Sequence, residues 1–167
     1  MPADRVRLHV CWGNYEGPHH RDIPLAKVLP VLLRVKPMAL LIEGAIPRHE
    51  HEWEIWKNQP LPADKILVPG VLDSSCNFIE HPELVAQRIV RDADLVGRDR
   101  VIAGTDCGFG TFAGFGAVHP AIGWGEDAVA GRRREACHRE AVGSGGSRRV
   151  TVRCRSTVAG PAGCATR

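Results

Sequence analysis

Short apolar runs alternate along the chain with stretches of helical period. Residues 6–11 (VRLHVC), 39–44 (ALLIEG), 66–72 (ILVPGVL) and 101–105 (VIAGT) each end in polar or glycine residues and read as buried strands. Between the first two, Asp22 is placed to cap a helix with Pro24 in its first turn, and Leu25, Val28, Leu29, Leu32 and Leu33 recur along it. Pro30 inside that run predicts a kink or an early end, because proline has no N–H for the helical ladder. His81-Pro82-Glu83 opens another helix, carried by Leu84, Val85, Ile89, Val90 and Leu95 and stopped at Gly97. Residues 50–57 (EHEWEIWK) predict a shorter helix with Trp53 and Trp56 on its buried side.

Strands that alternate with helices imply a parallel sheet. The polar residues at the strand ends carry a period: Cys11 to Glu43 is 32 residues, Glu43 to Asp73 is 30, and Asp73 to Cys107 is 34. A βα unit takes about 30 residues. Each of these residues closes its strand at the C-terminal end, where α/β folds place their chemistry. A full TIM (β/α)8 barrel needs about 250 residues, so four units predict an α/β fold of half a barrel.

Composition divides the chain in two. Over its 167 residues it is 44% hydrophobic and 25% charged, as expected of a globular protein. No run approaches the ~20 apolar residues of a membrane span, and Met1-Pro2-Ala3-Asp4-Arg5 lacks a signal pattern, so no membrane association and a cytoplasmic location are expected. Residues 131–167 hold nine Arg, two Glu and no Lys, a balance of +7 against −4 for the remainder, which together give the net +3. Cys11, Cys76 and Cys107 lie in the body; Cys137, Cys154 and Cys164 lie in the tail. The expected division is a body at 1–124 and an irregular, basic Arg/Gly-rich tail at 125–167. A basic arm can attract nucleic acid. The absence of Lys and of interleaved aromatics instead favours a non-native tail of the kind produced by out-of-frame reading of GC-rich DNA.

The strand-end residues carry the candidate chemistry. His9 and Cys11 lie two apart and share one face of the first strand. Glu43 follows from the second strand and Cys107 from the fourth. Imidazole, carboxylate and two thiolates form a donor set suited to Zn²⁺. With three anionic ligands such a site carries about −1, too electron-rich to generate hydroxide well but able to hold a thiol as a nucleophilic thiolate.

Four stretches also carry a family resemblance: HVCWGNYEGPHHRDIPL (9–25), LLIEGAIPRHEHEWEIW (40–56), VPGVLDSSCNFIEHPELVAQRI (68–89) and VIAGTDCGFGTFAG (101–114). Over residues 5–122 the chain resembles the C-terminal half of cobalamin-independent methionine synthases, and more closely the short methionine synthase II or epoxyalkane:coenzyme M transferase-like members. The resemblance implies a zinc-dependent barrel that transfers a methyl or alkyl group from a small donor to a thiol. It puts the zinc motif H-x-C on His9 and Cys11, the glutamate ligand on Glu43, and the cysteine of D-C-G on Cys107. The family's D-x-H reads Asp73-Ser74-Ser75 here, without the proton-transferring histidine; Asp73, His51 and His81 are the remaining candidates for that role. The family's first four strands have no counterpart, so the sheet edges are expected to be open to self-association. The alternative to an active fragment is a non-catalytic remnant that binds zinc weakly or not at all.

Overall fold

The computed structural model describes residues 1–14, 17–110, 118–126 and 128. The expectations for most of the tail, with its Cys137, His138, Cys154 and Cys164, fall outside these residues, as do Tyr15 and residues 111–117 of the glycine-rich stretch.

Four parallel strands form one sheet in chain order: β1 (Arg7–Val10), β2 (Ala39–Ile42), β3 (Ile66–Leu72) and β4 (Gly104–Thr105). Leu8 pairs with Leu40 and Leu40 with Leu67, so one row of leucines crosses the first three strands. The parallel order with sequential neighbours is the half-barrel that the strand spacing predicted. β4 is shorter than expected: Val101 makes an isolated bridge to Leu67, and regular pairing resumes only at Gly104 after a register shift on β3. Among the described residues β1 and β4 are the two edges of the sheet.

Helix α1 (Leu25–Leu32) follows β1 and buries Leu25 and Leu29. It departs from expectation at its start, where Pro24 is the N-cap and the first N–H, of Leu25, is taken by Glu52 Oε1 at 2.6 Å rather than by Asp22. Asp22 instead turns to His19 and His49, both within 3.1 Å. Pro30 lies inside the helix, which ends two residues later. Helix α2 (Pro82–Val96) follows β3; His81 Nδ1 accepts from Glu83 N at 3.1 Å, and Gly97 ends it at φ 98°. Residues Glu50–Lys57 form a 3₁₀ rather than an α-helix. Three residues per turn line Glu50, Trp53 and Trp56 along one face. Trp56 is buried in the core, Glu50 meets Arg88 of α2, and the guanidinium of Arg91 lies 4.7 Å from the Trp53 ring.

The core sits between the sheet and these helices. Leu25, Leu29, Leu40, Ile42, Trp56, Leu67, Val96 and Val101 form its main cluster, with Val71, Leu72 and Val85 beside it. No helix among the described residues is long and apolar enough to cross a membrane.

One buried cation ties the layers together. Arg88 donates to Glu80 at 2.5 Å, Glu50 at 3.0 Å, Val71 O at 3.0 Å and Ala45 O at 3.3 Å. Glu80 in turn accepts from Asp73 N at 2.8 Å. The Arg88→Met substitution leaves Glu80 buried without its partner and is expected to cost about 3–5 kcal/mol in chemical denaturation.

Asp92 on the buried face of α2 has no such partner among the described residues. Burial lifts its carboxyl to about 6, with Arg91 pulling the other way. An acid whose folded pKa exceeds its unfolded one stabilises the fold only while protonated, so stability falls as pH rises from about 4 to about 6. Asp92→Asn is therefore expected to gain on the order of 2 kcal/mol over the parent at pH 7 and nothing at pH 3.5, read from denaturation midpoints at the two values.

Candidate metal centre

On β1, Leu8 and Val10 pack against the core while Arg7 and His9 stay exposed on the opposite face. Cys11, just past the strand, continues that face. Cys107 lies two residues beyond β4, at the far edge of the sheet. The two edges nevertheless converge: Cys11 Sγ and Cys107 Sγ are 3.2 Å apart, and Cys107 Sγ is 3.5 Å from His9 Nε2. The ligating atoms of His9, Cys11 and Cys107 all lie within 4.8 Å of one another. Glu43, the first residue after β2, is 4% exposed and joins from the side. Its Oε1 accepts from Cys107 Sγ at 3.4 Å and from Trp12 N at 3.3 Å, while its Oε2 is buried with no hydrogen-bond partner among the described residues.

These contacts fit a cation better than they fit one another. Burial, then Cys11 and Glu43, pushes the Cys107 thiol far above its ordinary range. A positive ion among the donors removes that penalty, and it gives the idle Glu43 oxygen a partner. Two sulfurs on tetrahedral zinc, each ~2.3 Å from it, stand about 3.8 Å apart. The observed sulfur pair is within a small adjustment of that separation. An N/O/S₂ set of this kind suits zinc.

The surroundings hold the donors in place. Asp106, 3% exposed, accepts from the backbone N–H groups of Gly44 at 2.8 Å, Ala45 at 3.0 Å and Ile46 at 2.6 Å. Burial raises its carboxyl to about 6 despite these three donors. Ser74 Oγ accepts from Cys107 N at 3.0 Å and donates to Asn14 Oδ1 at 3.1 Å, and Asn14 Nδ2 donates to Gly108 O at 2.9 Å. On the β1 side, Trp12 stacks on His49 with ring centroids 4.1 Å apart. Both His49 nitrogens meet carboxylates, Asp22 at 3.1 Å and Glu52 at 2.9 Å. Against a desolvation cost, the hydrogen bonds from His49 and His19 hold the Asp22 carboxyl below its usual range.

The remaining candidates from the sequence fare differently. Asp73 is buried at the end of β3, but its Oδ1 is taken by the N–H and hydroxyl of Ser75, at 2.8 and 2.7 Å. His51 is exposed on the 3₁₀ helix, with no hydrogen bond to the cluster among the described residues. His81 is occupied as the cap of α2. His49 is buried in the clamp formed by Asp22 and Glu52. His19 is likewise paired with Asp22, and His20 is exposed. Cys76 is half-buried, its thiol pushed up by burial. It shares a cavity of about 370 Å³ with Arg48, Asp73 and Ser75, next to the strand ends.

The Asp22–His49–Glu52 clamp and the Asp106 contacts were not read from the sequence. Asp106 stood in plain view within Asp106-Cys107-Gly108, but its partners are 60 to 62 residues away.

Comparison with known proteins agrees with this fold. The arrangement is that of part of a (β/α)8 barrel. A B12-independent methionine synthase from Shewanella sp. W3-18-1, solved in complex with selenomethionine, superposes with a TM-score of 0.64 at 18% identity, over 81% of this chain and 39% of that one. The 2-hydroxypropyl-CoM lyase of Xanthobacter autotrophicus (strain ATCC BAA-1158 / Py2) is 26% identical over 129 residues, or 62% of this chain and 34% of the relative. Both fall within the resemblance carried by the motifs, over part of the chain. The chain thus spans about a third of the length of the curated relative it matches. No family model matches it.

Proposed function

We propose that this chain is the zinc-bearing portion of an enzyme that transfers a methyl or alkyl group to a small-molecule thiol, with His9, Cys11, Glu43 and Cys107 as ligands and residues 1–124 as the half-barrel that carries them. The observation behind this reading is the meeting of His9, Cys11 and Cys107 within 4.8 Å from opposite edges of the sheet. The two similar proteins are by their names a B12-independent methionine synthase and a 2-hydroxypropyl-CoM lyase, which supports a thiol as the substrate class.

When bound by these residues, zinc would keep a substrate thiol as thiolate at neutral pH without quenching its nucleophilicity. The chain's own residues set the stage for that step. Glu43 is held by Trp12 N, and the Cys107 backbone is held by Ser74, so the donors are oriented before any ligand arrives. The cavity lined by Arg48, Asp73 and Ser75 offers a guanidinium and a carboxylate, which suits a small charged thiol better than an apolar one. Asp73 orients the loop after β3 through its two bonds to Ser75 and remains the candidate for proton handling there.

The test is zinc per chain in purified protein, measured for the parent and for Cys107→Ser. The reading predicts close to one zinc in the parent and, in the variant, affinity reduced by at least ~10-fold. A folded parent that retains no zinc under saturating metal would contradict it and favour the non-catalytic remnant.

A further inference from the structure

Two ligands stand on β1 and one beyond β4, with β2 and β3 between them. In a flat sheet, strands three places apart are separated by about 14 Å, from a spacing of ~4.8 Å. The 3.2 Å approach of Cys11 Sγ and Cys107 Sγ therefore requires the strand ends to curl inward. One side chain is built across that curl. Asp106 N donates to Leu72 O at 3.0 Å, which fastens the end of β4 to β3. Its carboxylate passes over β3 and takes three consecutive N–H groups, 44 to 46, just beyond β2. Asp106 is thus bonded to both strands that separate the ligands, and its sequence neighbours are Thr105 and the ligand Cys107. The residues it grips begin immediately after the ligand Glu43.

The path over β3 exists because Gly70 has no side chain. A Cβ at Gly70 would overlap Asp106 Oδ1 and come within 2.8 Å of Asp106 Cγ. Gly44 is needed for the same approach, since a Cβ there would lie 3.0 Å from Gly70 O. Gly70 shows no left-handed φ, so backbone conformation does not demand glycine at this position. The demand is for space.

We propose that Asp106 is a positioning residue for the metal centre: by crossing β3 at Gly70 and gripping residues 44–46, it sets the distance at which Cys107 meets Cys11, His9 and Glu43. The inference rests on the metal reading above for its purpose, but not for its geometry. Three backbone donors on one carboxylate fix the Glu43 loop and the Cys107 loop relative to each other, so a single group governs two ligands from different strands.

The experiment uses the full chain with Cys76, Cys137, Cys154 and Cys164 replaced by Ser, leaving Cys11 and Cys107 as its thiols. The variants added to it are Asp106→Ala, Asp106→Asn and Gly70→Ala. Two quantities are read: the rate at which dibromobimane cross-links the two thiols in metal-free protein, and zinc affinity by competition with a chromogenic chelator. Far-ultraviolet dichroism and a thermal melt show which variants fold. Asp106→Ala and Gly70→Ala are expected to slow cross-linking at least ~10-fold and to weaken zinc by ~10–100-fold. Asp106→Asn keeps an acceptor for Gly44 and Ala45 but sets an amide against the Ile46 N–H, and is expected to fall between. The thiolate-to-metal band of the cobalt(II)-loaded protein should weaken in the same order, a signature that a purely structural loss of stability would not grade. Folded Asp106→Asn and Gly70→Ala proteins that cross-link and bind zinc like the parent would overturn the proposal, whether or not Asp106→Ala folds. If cross-linking separates the variants as expected while none of them, nor the parent, holds zinc, the positioning role stands and the metal reading fails.

Discussion

A parallel sheet spreads its strands, and a site shared by its first and fourth strands exists only if something draws their ends together. Here that constraint is met at the carboxylate of Asp106, which lies over β3 in the space left by Gly70 and holds the chain just beyond β2. The core cannot do this work. Leu25, Leu29, Leu40 and Leu67 press helices and sheet together on the other face, a non-directional force that fixes layers rather than distances between side chains. Directional bonds then set the strand ends: Asp106 between β2 and β4, Ser74 beneath Cys107, and the Trp12–His49 stack beside Cys11.

The charge pattern of the site follows from the same convergence. Burial, with a second thiol and a buried carboxylate within hydrogen-bond reach, raises the cost of ionising Cys107. Such a cluster is poorly suited to a free nucleophilic cysteine, which needs a positive neighbour to lower its pKa. It is well suited to surrounding a divalent cation. The contrast with Arg88 is instructive. There the buried carboxylate of Glu80 already has its cation and two carbonyls complete the shell, so that network is structural.

Much of this was legible in the chain itself. Four apolar runs at a period near 30 residues foretold the parallel order, because each strand's hydrophobic run ends where a polar residue emerges at the top of the sheet. The H-x-C spacing put His9 and Cys11 on one face for the simple reason that strand side chains alternate. Other features could not be read locally. The 3₁₀ winding of Glu50–Lys57 aligns Glu50 and Trp53 with Arg88 and Arg91 of a later helix, partners more than 30 residues away. Asp22 looked like a helix cap because its partner His49 is 27 residues away. Gly70 read only as part of a strand, since the side chain that requires its bareness comes from Asp106.

The central claim is that the ends of β1, β2 and β4 assemble into one cation site. The most direct measurement is the zinc X-ray absorption spectrum of the zinc-loaded chain of 167 residues, which counts sulfur and lighter neighbours around the metal. The account predicts two sulfurs, from Cys11 and Cys107, with nitrogen and oxygen completing the shell. A shell without sulfur, or one of four sulfurs that draws on the cysteines of the tail, would contradict it.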